Sequence, residues 1–168
     1  KDYPYLCWEQ MLTKGVMASH FKQLKPYLPA DIVWEGSDKL PALTLDLARS
    51  HQAPNGGMVF WVPTDERVSP YLSAYTALAF NWLRSAGHKI PQDVEEKLLV
   101  YLYGLTRRST LPDFYTAGMA SSVRAVALAA LAREHSGCEI WEQDFLALKL
   151  PPGRFDGIFA NASLFHVP

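Results

Sequence analysis

Cys7 and Gln10, three residues apart in the run Tyr3-Pro4-Tyr5-Leu6-Cys7-Trp8-Glu9-Gln10, carry the parts of an internal thioester. A thiol at Cys7 can displace ammonia from the Gln10 side-chain amide if a tight turn brings the two together. The product is a stored acyl electrophile. Its sulfur is a good leaving group, and a lysine amine or water can attack the carbonyl carbon. Glu9 sits between the reacting pair, free to orient it or to remain a plain surface acid. Tyr3, Tyr5 and Trp8 supply aromatic surface that would exclude water and slow hydrolysis. The competing reading is a buried core cysteine with no chemistry, since free cysteine packs as a small hydrophobe.

The elements that must position this pair read as helices. Met11 to Leu24 places Leu12, Val16 and Leu24 at helical spacing, ended by Pro26 and Pro29. Lys39 to His51 puts Leu40, Leu43 and Leu47 on one stripe. Ala53-Pro54-Asn55-Gly56-Gly57 is a turn, and Met58 to Val62 is a short apolar run, strand or buried loop. Ser69 and Pro70 mark the next helix start, with Leu72, Tyr75, Ala79 and Trp82 as its inner face. Gly87 is its left-handed stop. A further helix begins near Pro91, carries Asp93, Glu95 and Glu96 early, and turns Val94, Leu98, Tyr101, Leu102 and Leu105 inward. Asp113 to Gly118 is a loop, and Ala120 to Arg133 is helical by composition. Consecutive helices with short connections predict a mainly α fold of helical hairpins.

The octapeptide resembles the thioester motif of the alpha-2-macroglobulin and complement family, whose bacterial members have a similar Tyr-Pro-Tyr-Gly-Cys-x-Glu-Gln run. Leu6 stands here in place of the glycine, and Trp8 fills the variable position. Asn55-Gly56-Gly57-Met58-Val59-Phe60-Trp61 is similar to the Gly-Gly-Phe-x-x-Trp turn of that family. Ser69-Pro70-Tyr71-Leu72-Ser73-Ala74-Tyr75 looks like its next helix start, and Asp113 to Ala132 like a later helix. The resemblance covers about residues 1–134. It implies a partial α/α toroid, about half a ring, and a thioester module of a broad-spectrum endopeptidase inhibitor. Cys7, Gln10 and Glu9 would be the site residues and attacking proteases the covalent partners. The module needs no cofactor and does not turn over, because its acyl group is consumed. The bacterial relatives act in the periplasm or cell envelope, often tethered to a membrane.

Residues 135–168 change character. Gly137 to Phe145 and Phe155 to Asn161 read as strands, with a turn at Pro151-Pro152-Gly153. Gln143 to Leu148 and Phe155 to Pro168 resemble the middle of a class I methyltransferase dependent on S-adenosylmethionine. That resemblance would set Asp144 at the adenine amino group, Phe145 on the ring, and Asn161 and His166 nearby. No Gly-x-Gly precedes the segment to bring backbone close to a cofactor. The change near Glu134 is expected of a chimera: a 1–134 thioester domain joined to a 135–168 methyltransferase-like fragment, both partial. Opening at Lys1, the chain is expected to be a piece of a longer protein.

The remaining constellations carry less. Hydrophobic residues make up 49% of 168 residues, enough for a core, and the net charge of −1 gives no electrostatic footprint for nucleic acid. No segment is long and apolar enough to span a bilayer. Cys7 and Cys138 do not make a disulfide framework, though a single bridge between them stays open. Ser19-His20-Phe21-Lys22 fits Ser-x-x-Lys without the partner motifs of that chemistry. Trp141-Glu142-Gln143 echoes the first motif, but Cys138 lies five residues before Gln143. The five histidines are scattered, without the spacing of a metal site, and read as surface or loop residues. Asp65, Glu66 and Arg67 read as a solvated loop.

Some complement proteins use a histidine from a later loop to pass the acyl group to hydroxyls. Thr106 to Ser122, the matching region, contains no histidine. Direct aminolysis is therefore expected. An activated domain should label with a primary amine far faster than with glycerol; comparable rates would contradict it.

Overall fold

Cys7, in extended backbone, caps the first helix. The computed structural model describes residues 7–61, 67–108, 111–112, 114–136, 147, 149 and 151–154. The chain divides into two compact units, Lys1–Cys138 and Glu139–Pro168. The first is mainly α, as the periodicity predicts, with helices α1 (Trp8–Leu24), α2 (Leu40–Leu47), α3 (Pro70–Ser85), α4 (Gln92–Arg107) and α5 (Ala117–Ser136). In the second, the described residues include the expected Pro-Pro-Gly turn, where Gly153 has φ 70°. The two strands expected there lie outside the described residues.

Helix α3 is the hub, packing against α1, α4 and α5. Ten of its sixteen residues are buried, among them Leu72, Ser73, Thr76, Phe80 and Leu83. Burial on several sides overrides the single stripe expected from periodicity. Leu72 and Ala79 are inside, but Tyr75 is only partly buried and Trp82 is exposed. The α4 stripe is as expected: Val94, Leu98, Tyr101, Leu102 and Leu105 are all buried. Arg84 on α3 ties the bundle by pairing with Glu95 of α4 and with Glu134 of α5, the latter at 2.7 Å.

The stripe expected for α2 is corrected. Leu43 and Leu47 are exposed, and Pro41, Thr44, Leu45 and Ala48 face inward. The cause is a close approach to α1. A Cβ on Gly15 would lie 2.7 Å from Thr44 Oγ1, and that hydroxyl donates to the Met11 carbonyl at 3.2 Å. The helix pair is thus closed by two small residues rather than by a leucine stripe.

Met58 to Trp61 forms a loop rather than a strand, with Met58 and Val59 buried, Phe60 partly buried and Trp61 exposed. Gln52 and Met58 make one isolated antiparallel bridge. Val59 N–H donates to His51 O and Ser69 N–H to Met58 O, both at 2.9 Å, while Met58 N–H reaches Ser73 Oγ at 2.8 Å. The turn before it packs on α4. Gln52 Nε2 donates to Val94 O at 2.8 Å, and Gly56, at φ 88°, leaves only 2.3 Å between a would-be Cβ and Lys97 O.

Both ends of α3 are closed as expected. Pro70 has no N–H to satisfy, Tyr71 N–H donates to Tyr115 Oη at 3.2 Å, and Leu72 N–H to Ser69 Oγ at 3.2 Å. At the other end Gly87 has φ 89°, Gly87 N–H donates to Arg84 O and His88 N–H to Leu83 O. That pair of bonds is a Schellman stop.

The two left-handed glycines should therefore respond differently to alanine. Gly56→Ala meets backbone and should cost at least about 2 kcal/mol. Gly87→Ala meets nothing within 4 Å and should cost only about 1 kcal/mol of backbone strain. Urea denaturation of the two variants reads the difference; equal losses would contradict the packing described at Lys97.

Candidate functional site

Cys7 is the N-cap of α1, with φ −76° and ψ 165°, and Gln10 is the third helical residue. At that spacing a glutamine can reach back to the cap, as in a capping box. It does so here: Cys7 N–H donates to Gln10 Oε1 at 3.3 Å. A thiol is a weak acceptor, so the glutamine half is the firmer connection. Gln10 Cδ, the carbon that a Cys7 thiol would have to attack to form a thioester, is one bond from Oε1. Cys7 is buried and Gln10 is exposed. Cys7 carries no disulfide, which removes the bridge to Cys138 left open by the sequence.

Trp8 pins this turn to the fold. Its N–H donates to Phe60 O at 2.8 Å and its Nε1–H to Thr76 Oγ1 at 2.9 Å. The ring is fully buried and stacks on His51, with centroids 5.2 Å apart and planes 19° from parallel. His51 corrects the expectation of surface histidines: it is 3% exposed. Its Nδ1 lies 3.0 Å from Leu47 O. A carbonyl only accepts, so Nδ1 carries the proton. The bulk of Trp8 at the variable position is thus accommodated by a built slot between α3 and the residues that follow α2.

Glu9 faces another way. Tyr71 Oη donates to Glu9 Oε1 at 2.9 Å. Thr13 Oγ1 donates to Glu9 O at 2.8 Å, which spends its one proton, so Tyr75 Oη, also at 2.8 Å, donates to Thr13. Tyr71 and Tyr75 stack with centroids 6.1 Å apart and planes 4° from parallel. Burial pushes the Tyr71 phenol up to about 12, and the Glu9 carboxylate adds to the shift by holding the proton between them.

Tyr71 also belongs to the wall of a cavity of about 960 Å³. Phe60, Trp61, Tyr101, Phe114 and Tyr115 supply its aromatic surface, and Arg67 and Arg108 line it as well. Arg108 sits 5.7 Å from the centre of the Tyr101 ring. The cavity and the motif meet through Tyr71 and Phe60, which bond to Glu9 and to Trp8 respectively.

Of the residues singled out from the sequence, Cys7, Glu9 and Gln10 come together on the first turn of α1. Tyr3, Tyr5 and Leu6 lie outside the described residues, as do Asp65, Glu66, Cys138, Asp144, Phe145, Asn161 and His166. Ser19 bonds Val16 O at 2.7 Å, and its hydroxyl lies 2.8 Å from Nδ1 of His20. Among the described residues no group of three or more His, Cys, Asp or Glu is placed to hold a metal ion, and no helix is long and apolar enough to cross a membrane. The partners that the sequence reading missed are Tyr71, Thr76 and His51. A Tyr71–Tyr75 pair at i, i+4 was the available signal for the first. Nothing local marks the other two, which reach Trp8 from 68 and 43 residues away along the chain.

Comparison with family models, with curated proteins and with solved structures gives no match for this chain.

The Tyr71 phenol has an ordinary value of 10.0 and is raised in the fold. A raised folded value favours the neutral form, so its contribution to stability is complete below about 10 and is lost as pH climbs through about 12. Phenolate absorbance during alkaline titration should show this tyrosine ionising late. Glu9→Gln should bring it down only part of the way, because burial is the larger cause; a full return to 10 would contradict that order.

Proposed function

We propose that residues 1–134 form the thioester module of a protease-trapping inhibitor, which couples covalently to lysine amines through a Cys7–Gln10 bond. The observation that carries this reading is the back-folded Gln10 side chain, whose Oε1 accepts from Cys7 N–H at 3.3 Å. Closure of a thioester inside a short loop requires the two groups to meet before reaction, and pre-orientation of this kind is worth several powers of ten in rate. The capping geometry favours that meeting by turning the Gln10 amide back onto the Cys7 backbone. Burial of Cys7 and the Trp8 anchor supply a site from which water is partly kept away.

On this reading the loss of ammonia forms the Sγ–Cδ bond. Attack by an amine then forms an amide at Gln10 and returns the thiol at Cys7. The event happens once per molecule, so the chain is an inhibitor module rather than a turnover catalyst. The α/α toroid, the periplasmic or cell-envelope setting and the proteases as targets accompany the same proposal through the family resemblance. So does the assignment of residues 135–168 to a separate, methyltransferase-like fragment.

A fluorescent primary amine offered to the native chain tests the reading. The label should appear on Gln10, with one thiol newly open to alkylation at Cys7, and both should vanish in Cys7→Ala. Labelling that is indifferent to Cys7 would overturn the proposal.

A further inference from the structure

Trp61, Tyr71, Phe114 and Met119 are large apolar side chains left between 44% and 69% exposed, and all four line the cavity of about 960 Å³. They come from separate parts of the chain. Trp61 follows the Gly-Gly turn, Tyr71 opens α3, Phe114 precedes α5 and Met119 lies within it. Bare apolar surface gathered at one place marks a binding surface more often than an accident. A concave space of this size with aromatic walls falls in the range of small-molecule sites.

The polar groups of the wall decide what charge it takes. Arg108 and Arg67 both line it, and its described lining holds no Asp or Glu. Arg108 lies over the Tyr101 ring, 5.7 Å from its centre, and pairs with no carboxylate among the described residues. A guanidinium set over a ring keeps the N–H groups of its edge for a partner in its own plane. Tyr115 Oη accepts from Tyr71 N–H at 3.2 Å, which leaves its own proton to give. Asn55 spends Oδ1 on Gly57 N–H at 3.0 Å, which leaves its amide N–H groups as donors. Tyr71 does not join them, because its proton is given to Glu9. Aromatic walls suit a flat apolar body. Donors with no carboxylate beside them suit an anion.

We propose that this cavity binds small aromatic carboxylates, with the ring against its aromatic walls and the carboxylate on the Arg108 guanidinium. A carboxylate matches the planar guanidinium fork through two parallel N–H···O bonds, which favours it over a neutral amide of the same shape. The site is separate from Cys7 and Gln10, neither of which lines it, and does not depend on the thioester reading.

Calorimetric titration of the full chain with naphthoate and with naphthamide tests the assignment, since the two share one ring system and differ in charge. Naphthoate should bind at one site with a Kd of about 1 mM or tighter. It should bind about tenfold tighter than naphthamide, the usual worth of a hydrogen bond to a charged group. Arg108→Gln should cut that preference about threefold or more. Arg107→Gln should leave it unchanged, because Arg107 lies over the Tyr103 ring and is not part of the cavity wall. The ratio is read within each variant, so a loss that weakens both probes alike does not imitate the effect. Added salt should weaken naphthoate and spare naphthamide in the wild-type chain, a reading that needs no variant. No binding of either probe at millimolar concentration overturns the proposal. So does equal affinity for the two probes, or an equal response of both to salt. A preference unchanged in Arg108→Gln, or lost as far in Arg107→Gln, overturns the placement of the carboxylate on Arg108.

Discussion

The burial of Trp8 is the constraint on which this structure turns. One indole, directly after the cysteine, is held by three unrelated parts of the chain. The loop after the Gly-Gly turn takes its backbone N–H through Phe60, α3 takes its Nε1–H through Thr76, and His51 covers its face. A buried indole N–H without a partner costs about 1–3 kcal/mol, so the register of α1 against α3 is fixed to the residue. Because Trp8 is fixed, Cys7 is the cap and Gln10 is the third helical residue. The back-bond between them is a consequence of that register.

The other features serve the same end by bringing backbones close. Gly15 lets α2 approach α1 until Thr44 bonds the Met11 carbonyl. Gly57 does the same for the partly buried loop, where a Cβ would lie 2.3 Å from Val68 and 2.9 Å from the Tyr101 ring. The loop that carries Phe60 is therefore pressed into the bundle although it has no ladder of its own. Its polar backbone is answered by His51 O, Ser73 Oγ and Ser69 N–H, so an irregular segment can sit inside without leaving buried groups unpaired.

How far the sequence foretold this depends on the range of the interaction. The caps of α3, the stop at Gly87 and the inward face of α4 follow from a few adjacent residues, and they were legible. The stripe of α2 was not, because Thr44 faces inward in answer to a glycine 29 residues earlier. Trp82 was misread for a related reason: α3 is packed on several sides, and periodicity assumes one. At the site, Cys7, Glu9 and Gln10 were legible as a spacing. Their anchors Thr76, His51 and Tyr71 arrive from other elements, and only the folded chain shows them converging.

The central question is whether that convergence is chemical. Intact mass of the denatured chain, with and without earlier methylamine treatment, is the most direct measurement. A closed thioester gives a mass lower by one ammonia, converted by methylamine to a methylamide at Gln10 with one newly alkylatable thiol at Cys7. Full mass, with the Cys7 thiol open to alkylation before any treatment, would contradict it and leave the back-folded glutamine as a helix cap.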